Sequence, residues 1–321
     1  MPLSQTQLGP VDPVLTQYAQ LLRPGKYIAD QVFPQLNIVG EKGQIAVWDE
    51  TNLEVPTDAK RAIGAVSSQG FTPEPSYMDY QTVTYGRHDY MTQREANIAN
   101  AQGLGADVIK RAKVAKLVDQ ILLIRERDLA SKLNTDANYE TGFSTSLGTT
   151  WAAAGGTPIS DIETGIKKLT SVGITPNAII MDHDVWVTLA RHSELLEMTK
   201  HVKRGAIDRS DMLSIFNLQV IVGQSVYKSD STTFARTWED SAILCYIDGL
   251  GGEQPSNEFG LTFGRTIVSS PFSVIELDAP DHDHRGASKI EVEMAFAHQF
   301  MAVDNVSDGD SIAGYLIDNA V

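Results

Sequence analysis

The stretch from residue 107 to 133, DVIKRAKVAKLVDQILLIRERDLASKL, governs how the rest of the chain is read. Val108, Ala112, Ala115, Val118, Leu122, Leu129 and Leu133 recur at a spacing of roughly 3.6 residues, which places apolar groups on one face of an α-helix. Gly103 and Gly105 precede it as a hinge, and Asp107 stands where an N-cap is expected. At ~1.5 Å per residue the helix spans roughly 40 Å, long enough to be the backbone of a domain. It carries seven cations (Lys110, Arg111, Lys113, Lys116, Arg125, Arg127, Lys132) against four anions (Asp107, Asp119, Glu126, Asp128), in a chain whose formal charge is −15. Only Tyr139 and Phe143 follow nearby as aromatics that could stack on bases, so the cations read as a solvated face or as partners for an acidic neighbour, ahead of nucleic acid.

Upstream, Pro2, Pro10, Pro13, Pro24 and Pro34 interrupt residues 1–40, which predicts an extended arm with at most a short helix near 13–22. Strands are expected at 44–49 and 80–85. Between them, Asn52 to Tyr77 is rich in Thr, Ala, Gly, Ser and Pro and too sparse in large apolar groups to make its own core. A connection of that length inside a domain is uncommon and generally functional or disordered.

Downstream the pattern alternates. A helix is expected from Ser160, with Glu163 at capping-box spacing, to about Gly173. A buried strand follows at 178–181, a helix at 184–198, and strands at 218–222 and 241–247, which makes 160–275 a mixed sheet with flanking helices. Ile290, Val292, Met294 and Phe296 alternate with Glu291 and Glu293 as a half-buried antiparallel strand does, and 311–317 supplies a last short strand.

Several function classes are disfavoured. A chain of 321 residues buries a sizeable core without staples, and Cys245 is the single cysteine, so neither an internal disulfide nor a cysteine-based metal site can form. No apolar run approaches the ~18 residues of a membrane span, and the first residues lack the basic and apolar regions of a secretory signal. The acidity, with a pI near 4.8, opposes a broad grip on phosphates. Phosphate-loop, nucleophile-elbow, zinc-protease and calcium-loop signatures are missing, and Gly103-Leu104-Gly105 has Val108 where a dinucleotide loop needs its third glycine. Asp281-His282-Asp283-His284 has ligand types a divalent metal accepts, but alternate residues of an extended segment point in opposite directions, so no more than two converge. An exposed polar turn is the plainer account. Asp182-His183-Asp184 sits at a strand-to-helix junction, where an acid caps the helix.

This order of parts resembles the major capsid proteins of tailed phages, which share the bacteriophage Hong Kong 97 coat-protein fold. The arm through Phe33-Pro34, the segment Asn52 to Tyr77 with Gly70-Phe71-Thr72-Pro73, the helix to Leu133, the run Ile174 to Met181 and the closing Lys289 to Phe296 carry the resemblance. It implies an α+β chain: arm 1–40, extended β-hairpin loop 41–92, peripheral domain with long spine helix 93–159, mixed α/β axial domain 160–275, and return strands 276–321. It further implies pentamers and hexamers of one chain enclosing phage double-stranded DNA in an icosahedral head, assembled in the host cytoplasm. No cofactor and no membrane are implied; portal, scaffold and decoration proteins are the other implied partners. Lys60, Arg61, Phe71, Lys110, Lys113, Arg125 and Arg127 are the residues expected at subunit contacts. Two alternatives stand beside it: an encapsulin-like nanocompartment shell, and a metal-dependent hydrolase built on Asp281, His282, Asp283 and His284.

Overall fold

The computed structural model describes residues 11–22, 25–48, 76–103, 105–200, 207–228, 232–250, 260–278, 287–304 and 309–321. Asp12 starts helix α1 (Pro13–Leu21): its carboxylate accepts from the amides of Val14 (2.9 Å) and Leu15 (3.0 Å). Pro13 occupies the first helical position, where a missing N–H costs nothing. A short helix α2 (Ala29–Val32), strands β1 (Gln35–Asn37), β2 (Lys42–Val47), β3 (Ser76–Gln81) and β4 (Val83–Met91), and helix α3 (Gln93–Ala101) lead into the spine, α4 (Ala106–Leu133).

The spine begins one residue before the expected start, with a different cap. Gly105 takes the N-cap at φ 77°, and Asp107 falls in the first turn, where its charge favours the helix dipole. The buried seam is also displaced at the N-terminal end. Val114, Leu117, Val118, Ile121, Leu122, Leu129, Ala130 and Leu133 are buried, whereas Val108 is 47% exposed. The capping box expected at Ser160 and Glu163 does not form, because Pro158 starts α5 (Pro158–Ser171) two residues earlier. Thr92 and Glu95 form one instead at the head of α3.

Two sheets flank the spine. The first has the order β1-β11-β12-β4, with β11 (Gly264–Asp278) and β12 (Ser288–Phe300) antiparallel. The inward residues Ile290, Val292, Met294 and Phe296 meet Val114, Val118, Ile121 and Leu122, in line with the sequence alternation. Pro271 lies within a register shift of β11, between Ser270 and Ser273, where the ladder needs no amide from it. The second sheet has the order β5-β13-β10-β6-β7. It contains β5 (Ser144–Ser146), β6 (Ala178–Asp182), β7 (Gln219–Gly223), β10 (Ala242–Cys245) and β13 (Gly314–Asp318), after the small hairpin β8 (Val226–Lys228) and β9 (Phe234–Arg236). Helices α5, α6 (His183–Ala190), α7 (Ser193–Thr199) and α8 (Arg209–Phe216) accompany it. The single helix expected at 184–198 is broken at His192, whose Nδ1 accepts from the amide of Glu194 (3.3 Å) and starts a second one.

Three pairings redraw the expected outline. The strand run expected at 80–85 is split at Thr82: β3 pairs with β2 from Lys42↔Gln81 to Val47↔Ser76, while β4 joins the first sheet. Strand β11 belongs to the first sheet and β13 to the second, so sheet membership does not follow the boundary at 275. The arm, expected to lie extended with at most a short helix, is folded onto its own chain over residues 11–22 and 25–37. The Asp12 amide donates to the Val274 carbonyl (3.0 Å), Val274 donates to Thr16 Oγ1 (3.0 Å), and β1 runs parallel to β11. Phe33, fully buried, packs edge-on against Phe263 at 5.4 Å and Phe300 at 5.8 Å, over Gly264, where a Cβ would overlap its ring.

Candidate functional site

The arm, the spine and the second sheet meet at one buried carboxylate. Glu126, at helical spacing between Leu122 and Leu129, is 0% exposed. It accepts from the backbone amides of Ile28 (3.1 Å) and Ala29 (2.8 Å), from Trp238 Nε1 (2.7 Å) and from Ser225 Oγ (3.4 Å). Burial raises its carboxyl above the usual range, while the indole and the two amides pull it back down. Arg125 beside it donates from Nη2 to Asp30 Oδ1 (2.7 Å). His298 closes the cluster: Nε2 lies 3.1 Å from the Arg125 carbonyl and Nδ1 lies 3.0 Å from Thr266 Oγ1. A carbonyl can only accept, so Nε2 carries the proton and Nδ1 is left as an acceptor facing the Thr266 hydroxyl, whose single proton is shared between Nδ1 and the Phe33 carbonyl (3.1 Å). Burial and the neighbouring guanidinium push the imidazole down to about 3, and it is neutral.

The spine cations are spent largely inside the chain. Lys110 donates to Glu276 (2.7 Å), and Lys113 donates to the Tyr90 carbonyl (2.6 Å) with Asp89 and Glu95 at 3.5 and 3.4 Å. Arg127 lies 4.6 Å over the Tyr227 ring. Arg125 is 2% exposed. All four were expected at subunit contacts; Lys110, Lys113 and Arg125 meet acidic groups of their own chain, and Arg127 covers a ring of the β8–β9 hairpin. Lys60, Arg61 and Phe71 lie outside the described residues, as do Asp281, His282, Asp283 and His284. Asp182 caps α6 as expected, accepting from the Asp184 amide at 2.9 Å. Cys245 is buried, and burial pushes its thiol up, as befits a core residue.

At the base of the β2–β3 pair a cleft of about 570 Å³ is lined by Gln44, Asp79, Lys132, Asn138, Gln299 and Asp310. Lys132 donates to the His298 carbonyl (2.7 Å), and burial pushes its ammonium down to about 8. Among the described residues no cluster of three His, Cys, Asp or Glu could hold a metal, and no helix is long and apolar enough to cross a membrane. Glu126 and Trp238 escaped the sequence reading. The available signal was a glutamate standing at an apolar position of the spine.

With this geometry in place, likeness to known structures defines the class. The chain has a TM-score of 0.74 with a phage-related protein from Bordetella bronchiseptica, at 19% identity over 97% of this chain and 98% of that one. It has 0.55 with the capsid of cyanophage P-SCSP1u at 9% identity, covering 93% and 90%, and 0.51 with a virus-like particle from Pyrococcus furiosus at 11%, covering 95% and 96%. The fold is the α+β fold of phage capsid proteins, the Hong Kong 97 type. Sequence similarity narrows the class. The chain is 24% identical to the major capsid protein of Burkholderia phage BcepMu over 286 residues, 86% of this chain and 89% of that one. It is 21% identical to the major capsid protein of Pseudomonas phage JBD67 over 97% of both. No family model matches the chain.

Proposed function

We propose that the chain is the major capsid protein of a tailed bacteriophage, a subunit that associates with copies of itself into the closed icosahedral head shell around double-stranded DNA. The observation that carries this reading is the extent of the likeness: both sequence relatives are phage major capsid proteins, and the similarity runs through most of each chain rather than one segment. Phage relatives favour a viral head over a nanocompartment. The task is structural and asks for no catalytic group.

In this reading the second sheet with its helices, roughly 140–263 plus β13, is the axial unit around which pentamers and hexamers form. The spine with β4, β11 and β12 is the peripheral unit. The segment that follows β2, with Lys60, Arg61 and Phe71, reaches a neighbouring subunit, because it has too few large apolar groups to bury against itself. A net charge of −15 keeps packed DNA from adhering to the shell. Portal, scaffold and decoration proteins complete the virion, and assembly takes place in the host cytoplasm. Deleting residues 53–70 tests the division of labour: the subunit should fold with unchanged circular dichroism yet yield no closed shells, and shells equal to wild type would refute it.

A further inference from the structure

Strand β11 runs 15 residues, yet among the described residues β1 pairs along its outer edge only from Thr266 to Val268. Past the register shifts, helix α1 takes over that edge. The Asp12 amide donates to the Val274 carbonyl (3.0 Å), the Val274 amide donates to Thr16 Oγ1 (3.0 Å), and Gln20 Nε2 donates to the Phe272 carbonyl (3.0 Å). Val11 adds one antiparallel bridge to Ile275. Residues 12, 16 and 20 stand four apart, so one face of the helix supplies two donors and an acceptor where a strand would supply its backbone. An uncovered strand edge is a template for another strand, and a covering helix is one of the ways a protein closes it. The cover is held lightly. Leu15 and Ala19 are buried, in the core that holds Val114 and Val274, whereas Val14 is 61% and Leu21 73% exposed.

We propose that α1 is an edge guard: docked, it blocks the β11 edge, and undocked, it opens that edge to antiparallel pairing with the same edge of a second copy. The partner follows from the chemistry of the edge. In an antiparallel pair, a residue that faces its opposite number gives one N–H bond and takes another, as Val274 does here with α1. One such edge is therefore complementary to itself about a twofold axis. The contact is autoinhibitory, for the chain covers its own adhesive strand. It stands apart from the shell reading, since it concerns the unassembled subunit.

The full chain carrying Leu15→Asp with Ala19→Asp tests it, because charge in the apolar contact releases α1. Exchange of the Val274 amide is followed by NMR on the unassembled subunit over a range of concentrations, with sedimentation velocity in parallel and wild type beside it. At low concentration the amide should exchange at least tenfold faster than in wild type, having lost its acceptor. At high concentration the variant should sediment as a dimer and the amide should regain protection, while wild type stays unpaired at this edge. Exchange no faster than wild type, a variant that remains monomeric with its edge exchanging, or association without renewed protection of Val274 overturns the guard; the last result would mean that bared apolar groups, and no strand pairing, draw the copies together. If the two aspartates unfold the subunit, Leu15→Ala with Gln20→Ala loosens α1 without burying charge, and the same outcomes decide.

Discussion

Glu126 holds three parts of the chain with one carboxylate, so its removal should be felt well beyond its own volume. Glu126→Ala leaves the Trp238 indole and the Ile28 and Ala29 amides without their acceptor in a dry site. Losing one member of such a buried charged network costs about 3–5 kcal/mol. Urea unfolding of the unassembled subunit should show that shift, with Glu126→Gln retaining part of the stability because its amide oxygen still accepts. His298 sets an acid limit. Its folded value of about 3 lies below the ordinary 6.5, so the unfolded chain binds the extra proton first. The stability this group contributes is present above pH 6.5 and is lost as pH falls towards 3, by a few kcal/mol in order of magnitude. The unfolding midpoint measured across this range should decline more steeply in wild type than in His298→Asn, and parallel curves would contradict the assignment.

At the scale of the elements, the spine joins two cores: its first half packs on the first sheet and its last turns enter the core of the second. Leu129→Ala, at a fully buried position, should cost about 2–5 kcal/mol, whereas Val108→Ser, half exposed near the other end, should stay within about 0.5 kcal/mol. Gly264→Ala should destabilise as well, since the new methyl overlaps the buried Phe33 ring. Thermal melting of the three variants checks the order. The helix was legible in the sequence because Leu122, Leu129 and Leu133 repeat at its period, and β12 because Ile290, Val292 and Met294 alternate. The arm's short helix near 13–22 was legible, but its docking on β11 was not, since that depends on residues some 250 positions away. The split at Thr82 was hidden for a related reason: nothing local says that one extended run serves two sheets. The buried node was illegible because charge on a helix reads as surface until the partner segments are placed, and Arg125 and Glu126 are inside only because Asp30, Trp238 and two arm amides meet them there.

For the whole molecule, a chain of net charge −15 that assembles must bring like-charged copies together, so assembly should strengthen with ionic strength until specific pairs are screened in turn. The fold has a helix that enters two cores and a paired β2–β3 hairpin base. A shell subunit encloses space by repeating itself. The measurement that tests it most directly is sedimentation with negative-stain electron microscopy of the full chain, expressed alone and with its neighbouring genes. Closed polyhedral particles hundreds of ångströms across, with this chain as their principal component, are the expected result. A small oligomer that persists under every condition would contradict it.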